Sequence, residues 1–214
     1  MNIDRDIKRL ADPRTSDVAS AKAAAGMVDA AASRGLVDVA VATMDSPIGE
    51  LLVAVTQRGL ASVAFESEDR DELFERFSRE LSPRVLEVAA PTDEARRELS
   101  EYFAGDRRRF DLRIDRRLIG PFAWDVLRAT RRVGFGHLAT YGQIAERIDR
   151  PTASRAVGRA LGSNPIPIVI PCHRIVGAGG KLTGYAGGIH RKELLLELEG
   201  SLQPTLVERG QPVD

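Results

Sequence analysis

Three short apolar runs, separated by turn residues, constrain the fold of this chain more than any other feature. They cover residues 37–44, 51–55 and 60–65, and each has the length and apolar character of a strand. Ser46-Pro47-Ile48-Gly49 and Gln57-Arg58-Gly59 lie between them and are turn signals. The pattern therefore predicts a three-stranded antiparallel meander.

Apolar residues at helical spacing follow the meander in two groups. The first group begins behind Ser67, a candidate N-cap, and the second follows Pro91-Thr92. The groups are Leu73, Phe74, Phe77 and Leu81, and then Ala95, Leu99, Tyr102 and Phe103. The strand and helix patterns of residues 36–110 therefore predict a small α+β domain, whose apolar faces form a core and carry no evident chemistry.

The second half of the chain has a helical pattern. A helix is predicted to begin at Pro121, which suits a first helical position. Thr140 and Gln143 fit a capping box at the start of a short helix that Arg150-Pro151 ends, and Thr152 is the predicted N-cap of the next helix. Two short helices joined by a tight turn resemble a helix-turn-helix, although a plain helical hairpin gives the same pattern.

Residues 164–171 are apolar and contain three prolines. Because proline removes a donor and blocks helix formation, we predict an extended, rigid segment that delivers Cys172 at its end. Glycine-rich loops follow. A last helix is predicted over about 190–199, with Gly200 in a C-cap position.

These patterns predict an α+β fold with two domains. A small N-terminal antiparallel-sheet domain with helices covers residues 36–110, and a mostly helical C-terminal domain with the helix-turn-helix covers residues 116–200. The boundary is expected in the arginine-rich connection near 105–115. Residues 1–35 are an N-terminal extension with a candidate alanine-rich helix, and residues 201–214 are a tail.

Charge is distributed unevenly, although the net charge is zero. Residues 116–192 hold 13 lysines or arginines against three acids, so the remainder of the chain is acidic. A basic segment on an acidic protein favours a polyanionic partner such as nucleic acid for that segment alone. Scattered, solvated arginines are the alternative interpretation.

Several classes of protein are excluded by what the sequence lacks. No apolar run approaches the roughly 18–20 residues of a membrane helix, and residues 1–20 lack the apolar stretch of a signal peptide. We therefore expect a cytoplasmic protein without membrane contact. A single cysteine excludes an intrachain disulfide, and one cysteine with three histidines leaves too few ligands for structural zinc, so we predict no metal.

The lone cysteine has a context that favours reactivity over simple burial. His173 and Arg174 follow Cys172 directly, and a histidine can accept the thiol proton while positive charge favours the thiolate. Adjacent side chains on an extended strand point in opposite directions, so the chain must turn at Cys172 or a water must relay the proton. A third group should orient the histidine, and Glu193 on the last helix is the candidate.

Six motifs together resemble a known family. Pro171-Cys172-His173-Arg174-Ile175-Val176 is similar to the active-site signature of the O6-alkylguanine-DNA alkyltransferases, also called methylated-DNA–protein-cysteine methyltransferases. The other motifs fall in the family's order and spacing: Thr140-Tyr141-Gly142-Gln143-Ile144-Ala145, Ser154-Arg155-Ala156-Val157-Gly158, Asn164-Pro165, Gly184-Tyr185-Ala186-Gly187-Gly188 and Lys192-Glu193-Leu194-Leu195. The close resemblance covers about 121–200, and residues 37–104 fit only in pattern.

The resemblance implies direct-reversal DNA repair. The family flips a damaged guanine out of double-stranded DNA and moves the alkyl group from its O6 atom irreversibly onto the cysteine, here Cys172, without a cofactor. The relay of cysteine, histidine and carboxylate would be Cys172, His173 and Glu193. Tyr141 would hydrogen-bond the flipped base, and Asn164 would organise the turn around the active site. We expect a monomer.

The resemblance also implies which residues meet the DNA and the base. Arg155 would fill the space that the flipped base leaves, and Ser154, Ala156 and Gly158 would let the helix approach the DNA closely. Arg159 stands where the family often has glycine, which adds a phosphate contact or alters the approach of the helix. The predicted pocket wall is Tyr185, Ala186, Ile175 and Pro167.

Three rival interpretations stay open at this stage. The first is an alkyltransferase-like protein that binds damage without transfer, although such relatives replace the cysteine. The second is a Cys-His hydrolase, which leaves the basic helix pair unexplained. The third is a helix-turn-helix transcription regulator. Each candidate side chain also has a structural alternative, such as covering a helix end or capping a turn.

Overall fold

The computed structural model describes residue 35 and residues 37–202. The candidate helix of the N-terminal extension and nearly all of the C-terminal tail lie outside the described residues. Within the part of the chain that is described, no helix is long and apolar enough to cross a membrane.

The predicted meander is present. β1 (Val39–Met44), β2 (Leu51–Thr56) and β3 (Gly59–Phe65) pair antiparallel in sequence order. The turn into β3 requires glycine, because Gly59 has a φ of 131° and a Cβ there would lie 2.2 Å from the carbonyl oxygen of Arg113.

A fourth strand extends the sheet. β4 (Val85–Glu87) pairs parallel with the free edge of β1, so the strand order is β3-β2-β1-β4. The sequence did not predict this strand. It has only three residues, of which one is half-buried and two are exposed, so it carries no alternating apolar pattern.

Helices cover both faces of the sheet. α1 (Arg70–Glu80) buries Leu73 and Phe77 against one face, and α2 (Asp93–Phe103) lies on the other. The N-cap of α1 is Asp69, whose carboxylate accepts from the amides of the first turn, so the expectation of Ser67 was wrong. Ser67 lies two residues too early for its oxygen to serve as the cap.

Four helices form the C-terminal region: α3 (Pro121–Thr130), α4 (Tyr141–Arg147), α5 (Ser154–Gly162) and α6 (Ile189–Leu198). α3 packs against α4 and α5, which pack against each other as the predicted helix pair. The capping box of Thr140 and Gln143 is present. The N-cap of α5 is Ala153 without a side-chain bond, so Thr152 is not the cap, because the turn continues one residue further.

One hydrophobic core runs through both regions. A continuous cluster of buried side chains extends from β2, β3 and α2 into α3–α6. The amide of Val63 also donates to the carbonyl of Pro165 at 2.9 Å, which ties the sheet directly to the proline-containing loop. The division into domains near residues 105–115 stays a prediction.

The proline-containing segment is compact where the sequence predicted an extended one. The amide of Val169 donates to the carbonyl of Pro167 at 2.8 Å, and that of Ile170 donates to the carbonyl of Ile166 at 2.9 Å. Ile168 has a φ of 71°, which is strained for a β-branched residue. Proline excludes helix but suits the second position of a turn equally well, so three prolines could not decide between the two forms.

Candidate active site

Two short paired strands bring the cysteine and the helix pair together. Cys172 opens a single 3-10 turn, Cys172–Arg174, which leads into β6 (Ile175–Val176). β6 pairs parallel with β5 (Ala139–Thr140), the strand that leads directly into α4. The turn at Cys172 supplies the change of direction that an extended chain would have lacked.

Asn164 contacts the sulfur of Cys172. Its Nδ2 atom lies 3.2 Å from Sγ of Cys172 and 3.0 Å from the carbonyl oxygen of Ile170, while its Oδ1 atom accepts from the amide of Ile166. Cys172 is itself buried. Burial raises the pKa of its thiol to about 11, although the Asn164 hydrogen bond opposes the shift. The resting group is therefore a thiol that needs a base.

The side chain of His173, next to Cys172 in the chain, is neutral and held in one orientation. His173 is fully buried, and its Nε2 atom lies 2.9 Å from Oε1 of Glu199. Burial lowers the pKa of His173, so the imidazole is uncharged near neutral pH. With Nε2–H donating to the carboxylate, Nδ1 is the acceptor, and it has no hydrogen-bond partner among the described residues.

Glu199 is the centre of a buried network. Arg174 donates to it through Nε and Nη2, each at 2.8 Å, and the hydroxyl of Tyr102 donates at 2.7 Å. Burial by itself raises the pKa of Glu199, but the hydrogen bonds from His173 and Arg174 outweigh burial and lower the pKa to about 2. The carboxylate is therefore ionised and held in one orientation.

The expectation that Glu193 orients the histidine was wrong. Glu193 is half-buried and its side chain has no hydrogen bond to any residue that the structure describes, whereas Glu199 bonds His173 directly. The reason is helical phase. Lys192, Leu195, Leu196 and Glu199 occupy the inward stripe of α6 and its C-cap, and position 193 lies outside that stripe.

A cavity of about 550 Å³ lies between the starts of α4 and α5 and the loop that follows β6, and Cys172 is not among its lining residues. It brings together four residues that the sequence singled out, namely Tyr141, Ser154, Arg155 and Gly158. The other lining residues are Thr140, Gly142, Gly177, Ala178 and Thr183. Because Gly177 follows β6, the cavity and the cysteine share one short segment of chain.

Tyr141 is held at the edge of this cavity. Its hydroxyl lies 2.8 Å from the hydroxyl of Thr183, and a Cβ at position 158 would lie 3.7 Å from its ring. Gly158 therefore lets α5 pack closely against the tyrosine. Of the other candidate residues on α5, Arg155 and Arg159 are exposed and Ala156 is half-buried.

The four residues predicted to form the pocket wall do not line this cavity. Ile175 and Pro167 are buried, and Ala186 is exposed. Tyr185 lies with its ring edge-on to His173 at 6.5 Å between centroids, and its hydroxyl is enclosed without a partner among the described residues. Tyr185 thus adjoins His173, and Ile175 directly follows the turn of Cys172 with its amide donating to the Cys172 carbonyl, so the pocket wall stays a prediction.

Sequence reasoning missed four residues of the site, namely Thr183, Lys192, Arg174 in its structural role, and Glu199. The Nζ atom of Lys192 donates to the carbonyls of Ile175 at 2.6 Å and Thr183 at 3.3 Å, which fixes the loop to β6. Burial lowers the pKa of this lysine. Among the described residues, no group of three or more His, Cys, Asp or Glu could hold a metal ion.

Comparison with known proteins gives matches over both regions. Residues 121–201 match the family model of the 6-O-methylguanine DNA methyltransferase DNA binding domain. Residues 39–116 match that of the 6-O-methylguanine DNA methyltransferase ribonuclease-like domain.

Individual relatives cover most of the chain. A methylated-DNA–protein-cysteine methyltransferase of Mycobacterium tuberculosis is 42% identical over 162 residues, which are 76% of this chain and 93% of the relative. One from Methanosarcina acetivorans is 42% identical over 164 residues, covering 75% and 97%. The crystal structure of Mycobacterium tuberculosis OGT in complex with DNA is 39% identical, with a TM-score of 0.66 over 76% of this chain and 93% of that chain. On this similarity, the chain belongs to the 6-O-methylguanine DNA methyltransferase family.

Proposed function

We propose that this protein repairs DNA by transferring an alkyl group irreversibly from O6 of guanine to the sulfur of Cys172. The observation that carries the proposal is the placement of Cys172. Its sulfur accepts from Asn164, its neighbour His173 is a neutral base oriented by Glu199, and the chain leads from its turn through β6 to a cavity lined by Tyr141 and Arg155.

The transfer is a single displacement. The thiol proton passes to Nδ1 of His173, directly or through one water, and Glu199 stabilises the imidazolium that forms. The sulfur then attacks the alkyl carbon while the bond from that carbon to O6 breaks. The electron pair stays on the guanine, where a hydrogen bond from the hydroxyl of Tyr141 relieves its charge, and the base then takes up one proton, which balances the proton given up by the thiol.

The product explains why one molecule acts once and needs no cofactor. The sulfur ends as a thioether, which is a poor leaving group, and the guanine is restored. The expected experiment is a burst. Intact-mass measurement after mixing with methylated duplex should show at most one alkyl group per protein, located on Cys172, and none on the Cys172→Ser variant. Sustained turnover contradicts the proposal.

Double-stranded DNA that contains O6-alkylguanine is the proposed partner, bound by a monomer in the cytoplasm. Arg155 is exposed in the first turn of α5 and lines the cavity, so it can enter the space that a flipped base leaves. Ser154, Ala156 and Gly158 are small and allow close approach to the DNA. Arg159 is exposed and supplies a phosphate contact.

Flipping can be tested separately from chemistry. Arg155→Ala should slow transfer from a duplex much more than transfer from free O6-benzylguanine, because only the duplex requires extrusion of the base. Arg79→Ala, an exposed arginine on α1, serves as the control for loss of one positive charge. Equal losses on both substrates remove the flipping role from Arg155.

A further inference from the structure

A groove that lies outside the site above is rich in arginine. It has a volume of about 900 Å³ and is formed where the connection between the two regions meets the start of α3. Its charged and aromatic lining residues are Arg58, Arg113, Asp115, Arg116, Arg117, Trp124 and Asp125.

Both acids of this groove are already paired. The carboxylate of Asp115 is buried and accepts from Nε of Arg117 at 3.0 Å and from the hydroxyl of Thr56 at 2.7 Å. The carboxylate of Asp125 lies 3.3 Å from the guanidinium of Arg128. The groove therefore has no free carboxylate to balance its remaining cations.

Three guanidinium groups remain without an acid. Arg58, Arg113 and Arg116 are exposed, and none of them has a carboxylate within 4.0 Å among the described residues. Arg116 is held in place because its guanidinium lies 5.7 Å from the centre of the Trp124 ring. The result is a concave surface with three available positive charges, one of which is positioned by an aromatic ring.

The groove lies at the start of α3, and α3 packs against the helix that carries Arg155. The turn before α5 is closed by the amide of Ala153 donating to the carbonyl of Arg150 at 2.9 Å. The guanidinium of Arg150 lies 5.9 Å from the centre of the Phe122 ring, and Trp124 stands two residues further along α3. The turn before α5 therefore lies against the first turn of α3, the same helix start that lines the groove through Pro121 and Trp124.

We propose that Arg58, Arg113 and Arg116, here called the arginine track, bind the phosphate backbone of the DNA on one side of the damaged base. The DNA footprint then extends from the helix pair onto the connection and the β2–β3 turn. Guanidinium groups at a groove suit phosphate oxygens because they are always charged and present several donors. This inference rests on the proposed function, since it takes the DNA from there.

The salt dependence of binding tests the track. In a Cys172→Ser background, which stops the reaction, the triple variant Arg58→Ala/Arg113→Ala/Arg116→Ala should bind methylated duplex roughly tenfold more weakly near 50 mM salt. The slope of log K against log salt should fall by about 2 to 3, since each phosphate contact contributes about 0.9. An unchanged slope overturns the proposal.

A matched triple variant separates the track from general charge loss. Arg70→Ala/Arg79→Ala/Arg97→Ala removes three exposed arginines of α1 and α2, whose carboxylate partners are Glu87 on β4, Glu80 on α1 and Glu101 on α2. It changes the net charge by the same amount and should leave the slope within about one unit of the parent. If both triple variants lose the same slope, the effect is net charge and the track is rejected.

The side of the lesion gives a second readout. Two duplexes of about 20 base pairs, roughly 70 Å of DNA, carry the lesion near one end or near the other. The parent should bind more tightly to the duplex whose long arm, on one side of the lesion, reaches the arginine track. The triple variant should bind the two duplexes equally. A parent without a preference contradicts the proposal.

The proposal and the underlying function can fail separately. With Cys172 intact, one alkyl group per protein in the triple variant shows that it folds and that the proposed transfer holds. An unchanged salt slope in that case rejects the track alone. No alkyl group on the otherwise unaltered protein rejects the proposed function.

Discussion

Against one face of the sheet, α1 packs Leu73 and Phe77 onto the side chains of β1 and β2, and this interior is hydrocarbon. The interior behind Cys172 instead buries His173, Arg174 and Glu199. Apolar burial contributes about 25 cal/mol per Å², whereas a buried ion pair often adds no net stability over an apolar replacement. Stability therefore explains the apolar interior under α1 but does not explain the buried charges behind Cys172.

The purpose of these buried charges is control of geometry and protonation. Glu199 selects the Nε2–H tautomer of His173, and this leaves Nδ1 to accept a proton. A hydrocarbon core could hold the same backbone but could not set the state of the imidazole. Substitutions in the sheet interior should change stability alone, and substitutions in the network should change stability and transfer together.

Loss of the Glu199 charge should give the largest effect. Glu199→Gln leaves the guanidinium of Arg174 buried without its carboxylate, which costs about 3–5 kcal/mol of unfolding free energy. Transfer should also slow, because the imidazolium of His173 loses its counter-charge. Urea unfolding and single-turnover rates measure the two effects.

Glu193→Gln is the matched control on the same helix. The side chain of Glu193 has no hydrogen bond within the described part of the chain, so its replacement should change stability by no more than about 0.5 kcal/mol. If Glu199→Gln and Glu193→Gln change the unfolding free energy and the transfer rate equally, the hydrogen-bonded network around Glu199 has no special role in the interior behind Cys172.

Lowering the pH should reproduce, in the unaltered protein, part of the loss of stability expected for Glu199→Gln. The folded pKa of Glu199 is about 2 against an ordinary value of 4.5, so the folded state binds fewer protons than the unfolded state between these values. Its contribution of about 3 kcal/mol is fully present above pH 4.5 and is lost as the pH falls toward 2. Unfolding measured at steps of pH should show the loss in the parent and in Glu193→Gln, but a shallower one in Glu199→Gln.

A smaller effect is expected in the hydrocarbon interior. Phe77 is fully buried, and Phe77→Leu should lower the unfolding free energy by about 1–2 kcal/mol by leaving space under α1. The rate of transfer at Cys172 should not change, since the site lies in the other interior. A slower rate at temperatures well below unfolding breaks the proposed separation between the two interiors.

The fold was predictable where its signal is periodic and local. Strand spacing predicted β1–β3, and the capping box of Thr140 and Gln143 predicted the start of α4. Two features escaped because they depend on distant contacts. β4 is defined by its pairing with β1, and the turns of the proline-containing loop are fixed by hydrogen bonds within the buried core.

The site was predictable as a set of motifs but not as a network. Asn164 contacts Cys172, and Tyr141 and Arg155 line one cavity, while the catalytic and DNA-binding roles expected of these residues stay predictions. Glu199 was missed because a glutamate is ordinarily exposed, and its partner Tyr102 is 97 positions away. The spacing of Lys192, Leu195, Leu196 and Glu199 was the one local signal, since it marks a single helical stripe.

The smallest predicted effect concerns Thr183, whose hydroxyl lies 2.8 Å from that of Tyr141. Thr183→Val keeps the shape but removes this hydrogen bond, which is worth about 0.5–1.5 kcal/mol, so transfer should slow by about 2- to 10-fold. Thr183→Ser should restore most of the rate. In a Tyr141→Phe background Thr183→Val should have no further effect, because the partner hydroxyl is already absent. An additive loss means that Thr183 acts on the cavity and not through Tyr141, which places its role outside the hydrogen-bonded set.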